Sequence, residues 1–230
     1  MIEKTALILL VVPAGLAILN WLALIEGWRR VDFFAKPGVM LALILWSLVV
    51  LNGRFAEPAA VWFLTGLFFS GLGDIFLMLP RERFIAGLGS FLLAHLCFTT
   101  ALISRGFSGG GVVVLTAGLA LLAATYLLGL LRKSLLSRGL SKLWLPVVLY
   151  AVVISIMLLA GTQTLFNPGW QKSAAALLTA GALLFYASDA LLAWNRFIRP
   201  VFRGQLFVRI LYHAGQLLMT AGFFYHRLVL

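Results

Sequence analysis

The 230-residue chain is 63% hydrophobic and only 11% charged, with a mean hydropathy of +1.06. Soluble domains carry about 25% charged residues, so this composition excludes a soluble globular protein and indicates an integral membrane protein. The net charge of +11 does not indicate nucleic-acid binding, because the basic residues are scattered through short loops rather than gathered in a block. The single cysteine, Cys97, excludes an internal disulfide bond and a cysteine metal cluster.

Apolar segments bounded by charged residues, proline or glycine predict an all-α, polytopic membrane helix bundle in a single transmembrane domain covering residues 1–230. A spanning helix needs about 20 residues, and the chain accommodates about eight of them. The N-terminal apolar segment ends without a small-residue cleavage site, so we expect an uncleaved first span rather than a signal peptide. In chain order the predicted spans are residues 5–25, 37–51, 59–79, 84–103, 111–131, 143–161, 173–193 and 205–225.

The basic residues predict how the bundle is oriented. Most of the 18 lysines and arginines fall in the first, third, fifth and seventh loops, whereas Arg209 lies inside the last span. The positive-inside rule then places both termini outside and these loops in the cytoplasm. In a bacterium the membrane would be the inner, or plasma, membrane.

Two carboxylates interrupt apolar spans at matching depth. Asp74 lies close to the cytoplasmic end of the third span, and Asp189 lies at the equivalent depth in the seventh. A charge inside the membrane costs roughly 3 kcal/mol, so it is rarely present without a function. A single buried aspartate can serve packing alone. The matched pair favours two carboxyl groups in one pocket, where one can stay protonated as an acid while the other is ionised.

A weak internal repeat relates the two carboxylates. The segment from Asp74 to His95 resembles the segment from Asp189 to His213, and both aspartates lie on spans of the same direction, four spans apart. This predicts two parallel four-helix halves related by an axis along the membrane normal. Such an axis would bring the two carboxylates to opposite walls of one cavity. The predicted halves are about residues 1–105 and 106–230.

Further polar residues fall in the cytoplasmic half of the spans, so the predicted cavity opens inward. His95 lies near the midplane of the fourth span, beside Asp74 across a tight hairpin at residues 79–83. A lone histidine on an apolar helix is often only a satisfied polar group, whereas this hairpin favours a place in the site. Other members of this polar set are Asn20, Lys36, Tyr126 and Tyr150.

The last span carries a polar stripe typical of a helix that lines a cavity rather than lipid. Its members are Arg209, Tyr212, His213 and Gln216. Arg209 can pair with Asp189 or hold a lipid phosphate, since a guanidinium group favours bidentate phosphate contacts. Neither histidine of the polar set belongs to a helical pair at i and i+4, so we predict no metal site and no cofactor.

Several motifs occur in a specific order along the chain. They are Lys36-Pro37, GDIFLML at 73–79, FIAGLGSFLLAH at 84–95, SDALLA at 188–193 and YHAGQ at 212–216. Together they resemble the lysoplasmalogenase (YhhN-like) family of integral membrane proteins over nearly the whole chain. The sequence departs from the family pattern at His213, where the family usually has an aromatic residue, so Tyr212 and Gln216 are the matching positions.

The resemblance implies hydrolysis of the vinyl-ether bond of a lysoplasmalogen-type lysophospholipid, giving a fatty aldehyde and a glycerophospho-base. This reaction needs a proton donor to carbon in a dry site, and two carboxyl groups flank a similar cation in glycoside hydrolysis. We therefore expect Asp74 and Asp189 to be the acid/base pair, in either order. Supporting or substrate-binding positions are His95, Tyr212, Gln216 and His213, with Lys36 and Arg209 as candidates for the headgroup phosphate.

Two other functions fit the polar residues. A lipid or small-solute transporter would use the membrane carboxylates as a proton relay. A metal-dependent lipid amidase or esterase would use aspartate and histidine ligands. The expected partners are a lysophospholipid substrate and membrane lipids, with no nucleic acid.

Overall fold

The computed structural model describes residues 8–52, 57–79, 83–104 and 106–228. These residues form eight long helices and contain no strand, which confirms the predicted helical bundle. A short 3-10 turn at Ser141–Leu143 precedes the sixth helix, and a π turn at Trp194–Ile198 follows the seventh. In chain order the helices are α1 (Val11–Glu26), α2 (Arg29–Leu51), α3 (Pro58–Met78), α4 (Phe84–Ile103), α5 (Gly111–Ser137), α6 (Trp144–Gln163), α7 (Lys172–Ala193) and α8 (Gly204–Leu228).

Each predicted span coincides with one helix, and six of the described helices, α2 to α7, are long and apolar enough to cross a membrane. The helix α1 is apolar but has 16 described residues, and the predicted start of its span, residue 5, lies outside the described residues. The helix α8 has 25 residues and carries the polar stripe. The chain is therefore a multi-pass integral membrane protein.

Two helices extend beyond the predicted spans. The helix α2 begins at Arg29 rather than at residue 37 and continues through Pro37. A proline inside a membrane helix is tolerated where neighbouring groups satisfy the freed backbone carbonyl. The helix α5 continues to Ser137, which makes it about 40 Å long at 1.5 Å per residue. In both cases the charged residues that suggested a loop lie on helical turns. Residues 80–82 of the predicted hairpin lie outside the described part of the chain.

Two helix pairs are in especially close contact, and they carry the two carboxylates. In the α3–α4 pair, a Cβ added to Gly73 would lie 2.6 Å from the Phe91 ring. In the α7–α8 pair, a Cβ added to Gly222 would lie 2.6 Å from the carbonyl oxygen of Ala174. Small residues of this kind let neighbouring membrane helices approach closely. Asp74 and Asp189 are thereby fixed on rigid helix pairs.

The remaining helices pack against these two close pairs. The helix α2 lies between α1 and α3 and also contacts α8, whereas α6 lies between α5 and α7 and also contacts α4. An aromatic core forms where α3, α4 and α8 meet, with Phe63 stacked on Phe223 at 4.2 Å and tilted against Phe98 at 4.9 Å between ring centres. Buried aromatic side chains of this size anchor the packing of the helices that hold the site.

Candidate active site

Asp74 is a fully buried carboxylate near the end of α3, four residues before Met78. The ammonium nitrogen of Lys36 lies 2.9 Å from its Oδ1 atom and forms an ion pair with it. The Tyr212 hydroxyl, from α8, donates a hydrogen bond to Oδ2 at 2.8 Å. Each carboxylate oxygen therefore faces one partner, and the charge of the aspartate is balanced by a lysine inside the bundle.

Lys36 reaches Asp74 because α2 begins eight residues earlier than the sequence predicted, at Arg29 rather than at residue 37. Its side chain is buried and its ammonium nitrogen lies 5.9 Å from the centre of the Tyr212 ring. A buried charge is stable only when it is paired and hydrogen-bonded, and Lys36 and Asp74 satisfy each other in this way. Lys36 is therefore paired with a carboxylate, whereas the sequence suggested that it binds the headgroup phosphate.

Asp189 occupies the matching position on α7, four residues before Ala193, but has different partners. The Tyr150 hydroxyl, from α6, donates a hydrogen bond to Asp189 Oδ2. The Nε2 atom of His95 lies 2.9 Å from the Tyr150 hydroxyl and 3.4 Å from Asp189 Oδ2. These contacts converge on Oδ2, and no described residue donates a hydrogen bond to Oδ1. The Asp189 side chain is 12% exposed, whereas that of Asp74 is fully buried.

Both carboxylates line one cavity of about 370 Å³. Its walls also include Lys36, Arg209 and Tyr212. Two smaller apolar clefts, of about 50 and 60 Å³, meet at Asp189 and Tyr150 and are walled mainly by leucine, valine, alanine and phenylalanine side chains. Asp189 therefore lies where a polar cavity meets apolar space, an arrangement suited to a substrate with a charged end and a hydrocarbon chain.

Aromatic rings separate the two carboxylate clusters. The Phe185 ring packs against Tyr212 at 5.3 Å on one side and against His95 at 4.8 Å on the other, measured between ring centres. The Phe91 ring meets Tyr212 edge-on at 5.8 Å. These rings are buried, so they exclude water from the walls of the cavity and fix the hydroxyl and imidazole groups that contact the carboxylates.

Arg209 does not pair with Asp189, which corrects one of the two predictions for this residue. Its guanidinium group instead forms a bidentate ion pair with Asp32 of α2. Asn20 of α1 completes the network, accepting from Arg209 at 3.3 Å and donating to Asp32 at 2.8 Å. The pairing follows from the longer α2, which brings Asp32 into the bundle. Arg209 still lines the cavity, but its charge is balanced by Asp32.

His213 and Gln216 are buried but lie outside the cavity lining. The Nδ1 atom of His213 accepts a hydrogen bond from the Trp21 indole at 3.1 Å. The amide of Gln216 donates to the Ser70 hydroxyl at 3.0 Å. These hydrogen bonds connect α8 to α1 and to α3. The described residues contain no group of three or more histidine, cysteine or acidic side chains placed to hold a metal ion.

Two residues that contact the site were not predicted from the sequence. The sequence predicts Tyr150 in the cytoplasmic half of its span without a role in the site, whereas its hydroxyl contacts Asp189 directly. Asp32 was placed in a loop. Its spacing of four residues from Lys36 was a usable signal, because residues at i and i+4 lie on one face of a helix. Tyr126, a member of the same predicted polar set, is exposed on α5 and contributes nothing to the cavity.

The fold and the cavity together define a polytopic membrane protein with a pair of intramembrane carboxylates. Within that class, the chain belongs to the YhhN family, whose sequence profile matches residues 31–223. This confirms the resemblance found in the motifs. No solved structure matches the chain significantly.

Three relatives illustrate the similarity. A lysoplasmalogenase of Mycobacterium tuberculosis is 32% identical over 176 residues, which are 72% of this chain and 61% of the relative. Lysoplasmalogenase TMEM86B of Rattus norvegicus is 31% identical over 213 residues, or 91% of this chain and 80% of the relative. Lysoplasmalogenase TMEM86A of Bos taurus is 29% identical over 232 residues, or 85% of this chain and 88% of the relative. The match to the mycobacterial protein thus spans less than two thirds of that protein's length.

Proposed function

We propose that this protein is a membrane-embedded hydrolase that cleaves the vinyl-ether bond of lysoplasmalogen-type lysophospholipids, releasing a fatty aldehyde and a glycerophospho-base. The observation that carries the proposal is that Asp74 and Asp189 line one cavity in a chain whose relatives are named lysoplasmalogenases. A cavity of about 370 Å³ falls within the range of small-molecule sites, roughly 300–1,000 Å³.

The reaction begins with protonation of carbon. A vinyl ether is activated when a proton adds to its β-carbon, which turns the α-carbon into an oxocarbenium ion. The acid must be positioned against the double bond and shielded from bulk water, which would otherwise take up the proton. A carboxylic acid among buried aromatic rings meets both requirements.

The different partners of the two carboxylates support a division of roles. Lys36 lies against Asp74 and stabilises its ionised form, so Asp74 is the carboxylate. Asp189 has no lysine partner and borders the apolar clefts where the alkenyl chain would lie, and its Oδ1 atom is left without a donor from the described residues, so we assign the proton donor to Asp189. Enzymes separate an acid from a base in this way by giving two carboxyl groups different environments.

The steps balance with these two groups and one water molecule. Asp189 gives its proton to the β-carbon, and the negative charge of Asp74 stabilises the resulting cation. Water then adds to the α-carbon and returns a proton to Asp189. The hemiacetal splits into the aldehyde and the free glycerol hydroxyl as its own hydroxyl proton moves to the leaving oxygen. Asp189 is thereby restored for the next cycle.

The supporting residues have positioning roles in this scheme. Tyr150 and His95 hold the Asp189 carboxyl through Oδ2, and Tyr212 holds Asp74. The apolar clefts at Asp189 accept the first part of the hydrocarbon chain, with the rest in the surrounding lipid. The distribution of basic residues supports a site that opens to the cytoplasmic half of the membrane, with both termini outside.

The experiment uses protein purified in detergent, without a membrane gradient. Aldehyde release is measured from 1-alkenyl, 1-alkyl and 1-acyl lysophospholipids that share a headgroup and chain length. We expect aldehyde from the alkenyl lipid alone. In heavy water, rapidly trapped aldehyde should carry deuterium on the carbon next to the carbonyl group, because that carbon receives the acid's proton.

The outcome that contradicts the proposal is equally direct. If the folded protein releases no aldehyde from alkenyl lipids with choline or ethanolamine headgroups, it is not a vinyl-ether hydrolase of this kind. A transporter would also bind such lipids but would leave them intact, so turnover in detergent separates the two functions.

A further inference from the structure

The proposed proton donor lies at one end of a chain of three hydrogen-bonding side chains, each from a different helix. His95 comes from α4, Tyr150 from α6 and Asp189 from α7. The Nε2 atom of His95 lies 2.9 Å from the Tyr150 hydroxyl, and this hydroxyl contacts Asp189 Oδ2. An imidazole, a phenol and a carboxyl group can each donate or accept a hydrogen bond, so these contacts alone allow two directions for the chain.

The other ring nitrogen of His95, Nδ1, distinguishes the two directions. It is buried and has no hydrogen-bond partner among the described residues. The Phe185 ring packs against the imidazole at 4.8 Å between ring centres, and the Thr99 hydroxyl donates to the backbone carbonyl of His95. A neutral imidazole has one N–H proton, which makes a hydrogen bond here only if it is on Nε2. A proton on Nδ1 would be a buried donor without an acceptor, which is rare in folded proteins.

The neutral form of His95 with its proton on Nε2 gives the chain a single direction. The charged imidazolium form is disfavoured by the same argument, since it would carry a proton on each nitrogen. The Nε2–H group donates to the Tyr150 oxygen, and the one hydroxyl proton of Tyr150 is donated to Asp189 Oδ2. Nε2 also lies 3.4 Å from Oδ2, where an N–H group is attracted to the carboxyl oxygen and a bare nitrogen would be repelled.

The direction of the chain separates the two oxygens of Asp189. Oδ2 accepts from Tyr150 and lies near the His95 N–H group, so two protons already face it. Oδ1 has no donor among the described residues, and it is not one of the buried atoms that lack a partner. Oδ1 therefore belongs to the exposed 12% of the side chain, which lines the cavity. An added proton meets a substrate only on this oxygen.

We infer that His95 is a neutral positioning residue, protonated on Nε2, which fixes the direction of this chain and thereby keeps the reacting proton of Asp189 on Oδ1. The inference rests on the proposed function for the destination of that proton, the β-carbon of the vinyl ether. The protonated nitrogen of His95 and the direction of the chain stand on the geometry of the three side chains.

The chain also stabilises the acid after it has reacted. The Oδ1–H bond breaks, its electron pair stays on the carboxylate, and the proton forms the new C–H bond at the β-carbon. The hydrogen bond from Tyr150 to Oδ2 becomes stronger as the carboxylate gains charge, and the N–H group of His95 polarises that hydroxyl. His95 and Tyr150 keep their own protons throughout. The water molecule that adds to the α-carbon returns a proton to Oδ1.

The first test locates the imidazole proton and needs no substrate. The chain contains three histidines, so protein labelled with nitrogen-15 histidine gives few imidazole signals, and His95→Gln identifies those of His95. In nuclear magnetic resonance, Nε2 is the nitrogen that correlates with both ring C–H protons. We expect a proton on Nε2 and a bare Nδ1 at neutral pH. A proton on Nδ1, alone or together with one on Nε2, would overturn the inference whether or not the protein is a hydrolase.

The second test examines the chain while position 189 is neutral. Asp189→Asn resembles the protonated acid, because its amide can present either an oxygen acceptor or an N–H donor to Tyr150. If the buried Nδ1 sets the direction, the carbonyl oxygen should face Tyr150, the amide N–H groups should occupy the place of Oδ1, and His95 should keep its proton on Nε2. A move of the proton to Nδ1 in this variant would mean that the neutral acid reverses the chain and carries its proton on Oδ2.

The third test compares two conservative substitutions by their kinetics. The side-chain amide nitrogen lies near the place of Nε2 in His95→Gln and near that of Nδ1 in His95→Asn. We expect His95→Gln to keep most of kcat, and His95→Asn to lower kcat about tenfold with KM unchanged, because a hydrogen bond that supports a charged group is lost. Equal losses in the two variants, no loss in either, or a larger loss in His95→Gln would overturn the inference. Size-exclusion chromatography establishes that both variants are folded.

A double-variant comparison then tests whether His95 acts through Tyr150. In the Tyr150→Phe background the hydroxyl that connects the two groups is absent, so the difference in kcat between His95→Gln and His95→Asn should shrink. An undiminished difference would show that His95 acts on Asp189 without the chain.

Discussion

Asp74 on α3 and Asp189 on α7 occupy similar positions on helices that are four apart in the chain. Each lies four residues before the end of its helix. Each receives one partner from the helix that precedes its own and a second partner from α8, for Asp74, or from α4, for Asp189. Those partners are Lys36 and Tyr212 for Asp74, and Tyr150 and His95 for Asp189. This shift of four helices supports the proposal of two parallel halves around an axis along the membrane normal.

Both partners differ between the two aspartates, and the clearest difference is the charge of the partner from the preceding helix. Asp74 faces a lysine from α2, whereas the equivalent helix α6 gives Asp189 a tyrosine. The ion pair with Lys36 stabilises the ionised form of Asp74, whereas Asp189 has no lysine or arginine partner among the described residues. In the proposed mechanism, this difference in charge is what separates the base from the acid.

The largest effect should come from removing the acid. Asp189→Asn should lower kcat by about 10²–10⁴-fold, which is the usual contribution of a general acid or base. Asp74→Asn should also lower kcat, but proton transfer to carbon should still take place at Asp189. The solvent deuterium isotope effect on kcat, measured in Asp74→Asn and in Asp189→Glu, is the readout.

A large isotope effect retained in Asp74→Asn would agree with Asp189 as the acid. If Asp189→Asn has near-wild-type turnover, or if the isotope effect disappears only in Asp74→Asn, the assignment of the two roles is reversed. Size-exclusion chromatography of both variants establishes that they are folded.

The next prediction concerns stability and tests the ion pair between Lys36 and Asp74. Lys36→Met should destabilise the protein by roughly 3–5 kcal/mol, because it leaves Asp74 buried without its cation. The double variant Lys36→Met/Asp74→Asn should recover much of this loss. Thermal unfolding in detergent gives the comparison, and a double variant less stable than Lys36→Met would show that Lys36 stabilises the fold by some other contact.

Substitutions of Tyr150 and Tyr212 should have smaller effects than those above, and the effects should be on kcat. Tyr150→Phe removes the hydroxyl that positions Asp189, and a hydrogen bond to a charged or acidic group contributes about 1.5 kcal/mol, or about tenfold in rate. Tyr212→Phe should have less effect, because Lys36 still holds Asp74. The measurement is kcat with KM unchanged for both variants. A larger kcat loss in Tyr212→Phe than in Tyr150→Phe would contradict the roles given to the two clusters.

The helical bundle could be predicted from the sequence because lipid requires long apolar segments, and hydropathy records them directly. The shared cavity could be anticipated from the matched depths of two aspartates. The partners of those aspartates could not. Arg209 and Asp32 are 177 residues apart in the chain, so only the packing of α2 against α8 reveals their ion pair. A tyrosine in an apolar helix is common and predicts no particular contact. The hydrogen bond from Tyr150 to Asp189 depends on the packing of α6 against α7.

The smallest effect is expected at His213, which the sequence included among the supporting positions. His213 lies beside Tyr212 on α8, yet its ring accepts a hydrogen bond from Trp21 and does not line the cavity. His213→Phe should therefore lower the free energy of unfolding by about 1 kcal/mol, through the lost hydrogen bond, while leaving kcat unchanged. Trp21→Phe in the same background should then have little additional effect on stability, because its indole N–H no longer has a partner. A kcat loss in His213→Phe similar to that in Tyr150→Phe would contradict this structural role. It would mean that a residue outside the cavity lining contributes to catalysis on the Asp74 side of the site.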